Sequence, residues 1–214
     1  MGRSLRLTAA VLSLLTSLVA GPTRAADFDI SQTAHGKVLV LSGNIESGDS
    51  ERLERILARN VLLEATLASP GGVMVEGLQI GQLLRTAGVA TRVGRGRECA
   101  SACFFAFLGG SLRSVEPSGR LGVHMHTAAM SPEYIDKLKR ILVNRELSVD
   151  DRIRLIVLLN EQQSAVAAGM IAHYVVRMGV SIEVFDPLFT THSFTMHWLS
   201  AAEMRRFNVV NIVE

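Results

Sequence analysis

Aromatic residues are few in this 214-residue chain: eight Phe, two Tyr and one Trp make up 5% of it. With 18 glycines alongside, that scarcity speaks against an aromatic-rich β-sandwich and for an α/β fold with many tight turns. Cysteine is nearly absent too. Cys99 and Cys103 have no second pair with which to complete a structural zinc site. Charge of one sign is not in excess, since 22 basic residues face 20 acidic ones, and a nucleic-acid binder would show a basic footprint. Internal repeats, low-complexity runs and Pro/Ser-rich linkers are lacking. Past the N-terminus no apolar run reads as long enough to span a bilayer, which takes about 20 residues. What is present, 48% hydrophobic and 20% charged residues, is an ordinary globular composition with length enough for a buried core.

The first 25 residues read as a cleaved secretory signal. Arg3 and Arg6 form a basic start, and Leu7 to Ala20 is a largely apolar run of 14 residues. Gly21-Pro22 breaks it, and Thr23-Arg24-Ala25 places small residues where a signal peptidase reads. An uncleaved anchor is the alternative, because signal and anchor differ mainly in length and flanks. Cleavage after Ala25 removes Arg3, Arg6 and Arg24 and leaves 19 basic against 20 acidic residues. The expected product is a near-neutral exported protein, periplasmic or secreted, with no membrane contact after cleavage and a single domain over 26–214.

Strands and helices alternate along that domain. Lys37–Leu41 and Leu62–Ala68 read as buried strands, and Val89–Val93 as a third. Asp49 suits the cap of a helix carrying Leu53, Ile56 and Leu57 on its apolar face. A second helix follows Ser69-Pro70-Gly71-Gly72, with Val73, Ile80, Leu84 and Ala87 on one face and Gly77 where another element can approach closely. Phe104–Leu108 reads as a short apolar helix. Arg113–Val115 and Leu121–His124 read as strands flanking Pro117-Ser118-Gly119. A helical insertion is expected around 131–180, made of Pro132–Leu142 and a long apolar Asp150–Met178. A Ser200-capped helix and a Val209–Val213 strand close the chain. The order predicts a mostly parallel sheet with flanking helices.

Three features carry chemistry. Gly71 and Gly72 at a strand end leave backbone N–H groups free to meet a ligand, although no Gly-Lys-Ser/Thr follows to make a phosphate loop. Ser101, between two alanines at a helix start, has its hydroxyl near the positive helix end, with the Ala102 N–H placed for a developing oxyanion; the plainer role is a helix N-cap. His124 ends a strand and can take a proton from a serine hydroxyl; the plainer role is a surface or satisfied core histidine. His126 lies two residues on, so His124 and His126 with His35, His173, His192 or His197 are the only metal-binding combination to weigh. No carboxylate or cysteine supports it at tight spacing, and neither metal nor cofactor is expected. Cys99 and Cys103 sit four apart. They either pair, if Cys99 precedes the helix, or pack as free thiols.

Ala68-Ser69-Pro70-Gly71-Gly72 with Gly77 and Ile80, Ala100-Ser101-Ala102, and Arg120-Leu121-Gly122-Val123-His124 together resemble the Clp protease proteolytic subunit and its exported relatives in the ClpP/crotonase superfamily. The resemblance runs over about residues 37–126, with an echo at 198–213. It implies stacked ββα units and serine-type peptide hydrolysis. Ser101 matches the nucleophile, His124 the general base, and the Gly72 and Ala102 N–H groups the oxyanion hole. It also implies an Asp that orients the histidine. The corresponding stretch, Phe189 to Trp198, has no carboxylate, and Asp186 is out of register.

Three functions are therefore in view. The first is an exported serine peptidase acting on peptide or protein. The second is a catalytically inactive binding or scaffold protein on the same fold, which the missing Asp favours. The third is a crotonase-like enzyme for acyl thioesters, which export disfavours. The long Asp150–Met178 helix serves either its own core or assembly into a homo-oligomer.

Overall fold

The computed structural model describes residues 26–129 and 131–212. The N-terminal leader read over 1–25 lies outside the described residues. The elements run β1 (Asp27–Gln32), β2 (Lys37–Ser42), α1 (Asp49–Leu57), β3 (Leu62–Ala68), α2 (Met74–Thr86), β4 (Ala90–Val93), β5 (Glu98–Ala100), α3 (Ala102–Leu108), β6 (Arg113–Val115) and β7 (Arg120–Val123). They continue with α4 (Pro132–Val143), α5 (Val149–Arg177), a 3-10 turn (Ile182–Val184), α6 (Phe185–Thr190), β8 (His197–Trp198) and α7 (Ala201–Arg206).

One sheet has the order β1-β2-β3-β4-β6 and is parallel except where β1 pairs antiparallel with β2. A smaller sheet, β5-β7-β8, joins β5 and β7 in parallel and β8 antiparallel. This is the mostly parallel, helix-flanked sheet expected from the alternation. Leu39 and Leu41 of β2 and Leu67 of β3 are fully buried and meet Ile80 and Leu84 of α2 and Phe104, Phe107 and Leu108 of α3 in one core. Helices α2 and α3 touch backbone to backbone. A Cβ on Gly77 would collide with the Ala102 carbonyl, which is why a side chain is missing there.

Several boundaries differ from the sequence reading. Helix α1 is capped at Gly48, not Asp49. The Glu76 carboxylate reaches across from α2 and accepts the Gly48 and Ser50 N–H groups at 2.9 and 2.8 Å, while Asp49 accepts the Glu46 N–H at 2.8 Å. Strand β1 is absent from the sequence reading; only Phe28 and Ile30 alternate there, and Ile30 stays 40% exposed. Val209–Ile212 forms no strand. It ties to Arg113 instead: Val209 O accepts from the Arg113 side chain, and the Asn211 and Ile212 N–H groups donate to Arg113 O.

Arg113 is the largest buried side chain among the described residues, 2% exposed. Its Nε donates to Val209 O at 2.7 Å and its Nη2 to Asn208 O at 2.8 Å. Its Nη1 reaches Leu108 O, Gly110 O and Met178 O at 3.3, 3.4 and 3.3 Å. These carbonyls lie at or just past the C-terminal ends of α3, α5 and α7. The guanidinium therefore sits where three helices present unpaired acceptors and the negative ends of their dipoles. Burial, and next the neighbouring Arg85, push its pKa down to about 10, so it is charged at neutral pH.

Helix α5 is buried only toward its C-terminal end, at Ala167, Ile171, Tyr174 and Val175. Its first half stands clear of the core against α4, which has no buried residue, and leaves Ile153, Val157 and Leu158 about half exposed. By length and composition alone α5 is able to cross a membrane. A search for an unbroken apolar run misses this because Glu161 to Ser164 interrupts the pattern.

Candidate active site

The site is built where β5 runs into α3. Ser101, the junction residue, has φ 54° and ψ −122°, a positive-φ conformation uncommon outside glycine. It occupies the N-cap position of α3 yet makes no side-chain cap hydrogen bond, so the plainer role open to it in the sequence does not engage its hydroxyl. Its N–H donates to Gly122 O at 3.0 Å, fixing the elbow to β7.

The turn after β3 presses against this elbow. Gly71, at φ 105°, comes so close that a Cβ on it would lie 2.6 Å from the Ser101 Cβ and 2.9 Å from the Ala102 N. Below it the buried Ser69 hydroxyl accepts the Gly71 N–H at 3.1 Å, and Ser69 O accepts the Ala100 N–H at 3.0 Å. Gly72, at φ 143°, is bridged to Ile45 from both sides: Ile45 N–H donates to Gly71 O at 2.7 Å and Val73 N–H to Ile45 O at 2.8 Å. Neither the Gly72 N–H nor the Ala102 N–H has a backbone acceptor among the described residues. The Ala102 N–H next to Ser101, and the Gly72 N–H in the turn whose Gly71 packs on Ser101, are donors of the kind that acyl transfer needs.

His124 lies one residue beyond β7. Parallel pairing of Cys99 with Leu121 and Ala100 with Gly122 brings Ser101 and His124 to the same ends of neighbouring strands. No hydrogen bond joins them. The His124 Nδ1 is instead 2.9 Å from Met125 O, which fixes the proton on Nδ1 and leaves Nε2 as the acceptor. The resemblance calls for a carboxylate at this ring; the group present is a backbone carbonyl, which no side-chain pattern announces. Met125 is tied down in turn, its N–H donating to Thr191 O at 2.9 Å. Within Phe189 to Trp198, where the Asp is missing, Met196 packs with Trp198 against the flat face of Gly122. Asp186 lines a different cavity of about 400 Å³ with Glu183, Thr190, Thr191, His197 and Glu203.

The other histidines do not gather at His124. His126 is half-buried, and burial followed by the nearby His124 holds its pKa below the ordinary histidine value. No cluster of three or more metal-ligating side chains occurs among the described residues. His197 pairs with Glu203 at 2.8 Å beside the capping box that Ser200 and Glu203 form at α7. Cys99 and Cys103 are joined in a disulfide with Cα atoms 5.2 Å apart. Cys99 lies in β5, ahead of the helix, which is the arrangement that makes the i,i+4 pairing feasible.

No protein-family model matches the chain, and no curated protein matches it. Solved structures do. The 1510-N membrane-bound stomatin-specific protease, as a lysine-to-alanine mutant in complex with a substrate peptide, superposes with TM-score 0.53 at 16% identity, over 83% of this chain and 74% of that one. A serine-to-alanine mutant of the same protease gives 0.50 at 15% identity, over 83% and 78%. ClpP1 from Listeria monocytogenes gives 0.48 at 16% identity, over 81% and 88%. The chain has a ClpP-like α/β fold. At these identities the likeness concerns the fold, and the chemistry must be argued from the residues above.

Proposed function

We propose that this chain is an exported serine hydrolase, a peptidase working by acyl transfer on peptide or protein. The observation that carries it is the unengaged Ser101 hydroxyl, held at a strained strand-to-helix elbow against Gly71. Ser101 Oγ attacks the scissile carbonyl while its proton passes to His124 Nε2, and the new oxyanion accepts the Gly72 and Ala102 N–H groups. Collapse expels the amine, which takes the proton from His124. Water, deprotonated by the same nitrogen, then releases the acid and restores Ser101. The Met125 carbonyl holds the ring in the required tautomer. A neutral carbonyl stabilises the imidazolium less than a carboxylate does, so slow turnover is expected.

The test is fluorophosphonate labelling of the mature protein beside Ser101→Ala and His124→Ala. Labelling of the wild type that both substitutions abolish supports the reading. A folded wild type that takes no label moves the function to a binding or scaffold role, which the missing Ser101–His124 hydrogen bond favours. Export rests on the pattern of residues 1–25, and N-terminal sequencing of the secreted protein tests it by the presence or absence of Ala26 as first residue. Assembly into a homo-oligomer rests on the half-exposed Ile153, Val157 and Leu158 of α5. Sedimentation of a single species at monomer mass would overturn it.

A further inference from the structure

The disulfide encloses the candidate nucleophile. Cys99 is the middle residue of β5, Cys103 lies in the first turn of α3, and Ser101 sits midway between them. Ser101 is one of three non-glycine residues with positive φ among the described residues, with Ser118 and Asn208. A serine left to itself relaxes out of such a conformation, carrying its hydroxyl and the next N–H with it. Among the described residues, only the Ser101 N–H to Gly122 O bond and the Phe104 N–H to Ser101 O bond hold its backbone by hydrogen bonding. Both cysteines are fully buried, so a reductant has no route to the sulfurs without opening the core. That burial argues against a redox switch and for a permanent brace.

We infer that the Cys99–Cys103 disulfide is a positioning device for the elbow: it holds Ser101 in its positive-φ conformation and keeps the Ala102 N–H aimed at the oxyanion position. The functional half of this rests on Ser101 being the nucleophile. The conformational half does not, and the two are separable by experiment. A merely stabilising staple would add to the stability of the whole domain without coupling to Ser101.

The experiment is a double-mutant cycle in thermal stability, run with labelling rates on the same proteins. Ser101→Gly is made in the wild type and in Cys99→Ala/Cys103→Ala, with Cys99→Val/Cys103→Ala as the second background should the alanine pair fail to fold. Glycine adopts the positive φ of Ser101 without strain. Because the disulfide also restrains this loop in the unfolded chain, Ala100→Gly in the same loop is made in both backgrounds and its Tm shifts are subtracted. Ser101→Gly is expected to raise Tm with the disulfide present and to do so measurably less without it, because the unbraced elbow has already relaxed. In the Ser101 proteins, loss of the disulfide is expected to slow fluorophosphonate labelling by about 100-fold, the scale of a displaced reacting group or a lost oxyanion donor. Equal Tm shifts in the two backgrounds, with labelling unchanged, overturn the inference. Coupled Tm shifts in a wild type that takes no label support the brace and sink the nucleophile assignment. Uncoupled shifts in a wild type that labels do the reverse.

Discussion

Replacing Arg113 with methionine should be among the most damaging single changes in the molecule. Methionine fills much of the same volume but donates nothing to the five carbonyl oxygens that the guanidinium now serves. Two of these bonds are short, to Val209 O at 2.7 Å and Asn208 O at 2.8 Å, and each buried acceptor left unpaired costs about 1–3 kcal/mol. The three longer contacts to Leu108, Gly110 and Met178 add less. Removing a buried charge returns part of the loss, since its desolvation no longer has to be offset. The net expectation is ~3–5 kcal/mol of destabilisation. In a domain of this size 1 kcal/mol moves Tm by roughly 2–4 °C, so Tm should drop by roughly 6–20 °C. Arg113→Lys retains the charge but offers three donors in place of a planar fork and should lose about half as much. Urea unfolding of both variants checks this, with Arg55→Ala as a control. Arg55 is 62% exposed and 4.0 Å from Glu51, and its loss should stay within ~0.5 kcal/mol. An Arg113→Met protein as stable as that control would refute the idea that the guanidinium ties the three helix ends together.

Gly71→Ala introduces a methyl group 2.6 Å from the Ser101 Cβ at a φ of 105°. It should slow fluorophosphonate labelling by about 100-fold, the scale of a displaced reacting group, with a smaller loss of stability seen in thermal melts. Glu203 has its pKa held below the usual carboxylate value by its bonds to the Ser200 side chain and backbone, with His197 adding to them. A carboxylate whose folded pKa is lowered contributes stability above its unfolded value, near 4.5, and that contribution is lost as pH falls through the folded one. Glu203→Gln should therefore cost about 1 kcal/mol at neutral pH in chemical denaturation and progressively less in acid below the unfolded value. An equal cost at both ends of that range would count against the capping box as its source.

The parts of this protein that local pattern controls are legible in the sequence. The short, largely apolar runs Lys37–Leu41 and Leu62–Ala68 give β2 and β3 within a residue, because a run of that length suits a buried strand. Ser200 with Glu203 three residues later marks the start of α7 by the chemistry of the cap itself. Interactions that act across the chain are hidden. Glu76 caps α1 from 26 to 28 residues away, so Asp49 looks like the cap in sequence and is not. Arg113 reads as a polar strand residue, and nothing nearby in sequence reports that three helix ends converge on it. At the site, side chains and glycine positions can be named in advance, but the Met125 carbonyl cannot, because every residue has one. The positive φ of Ser101 is equally out of reach, because the hydrogen bond to Gly122 O, the packing of Gly71 and the covalent link beside it are all set by the fold rather than by local sequence.

The Arg113 cluster also orders events in time. The residues it binds most closely, Asn208 and Val209, are 95 and 96 positions further along the chain, and closing so long a loop is slow compared with forming a helix or a hairpin. Until that late segment arrives, Arg113 Nη1 and Arg85 Nη2 can serve the carbonyls at the ends of α3 and α5, but Arg113 Nε and Nη2 lack their acceptors. The packing around Arg113 is therefore expected to complete only after residues 208 and 209 have joined. What arrives last is a pair of acceptors for a guanidinium already in place, so the far end of the chain closes the core beneath the elbow.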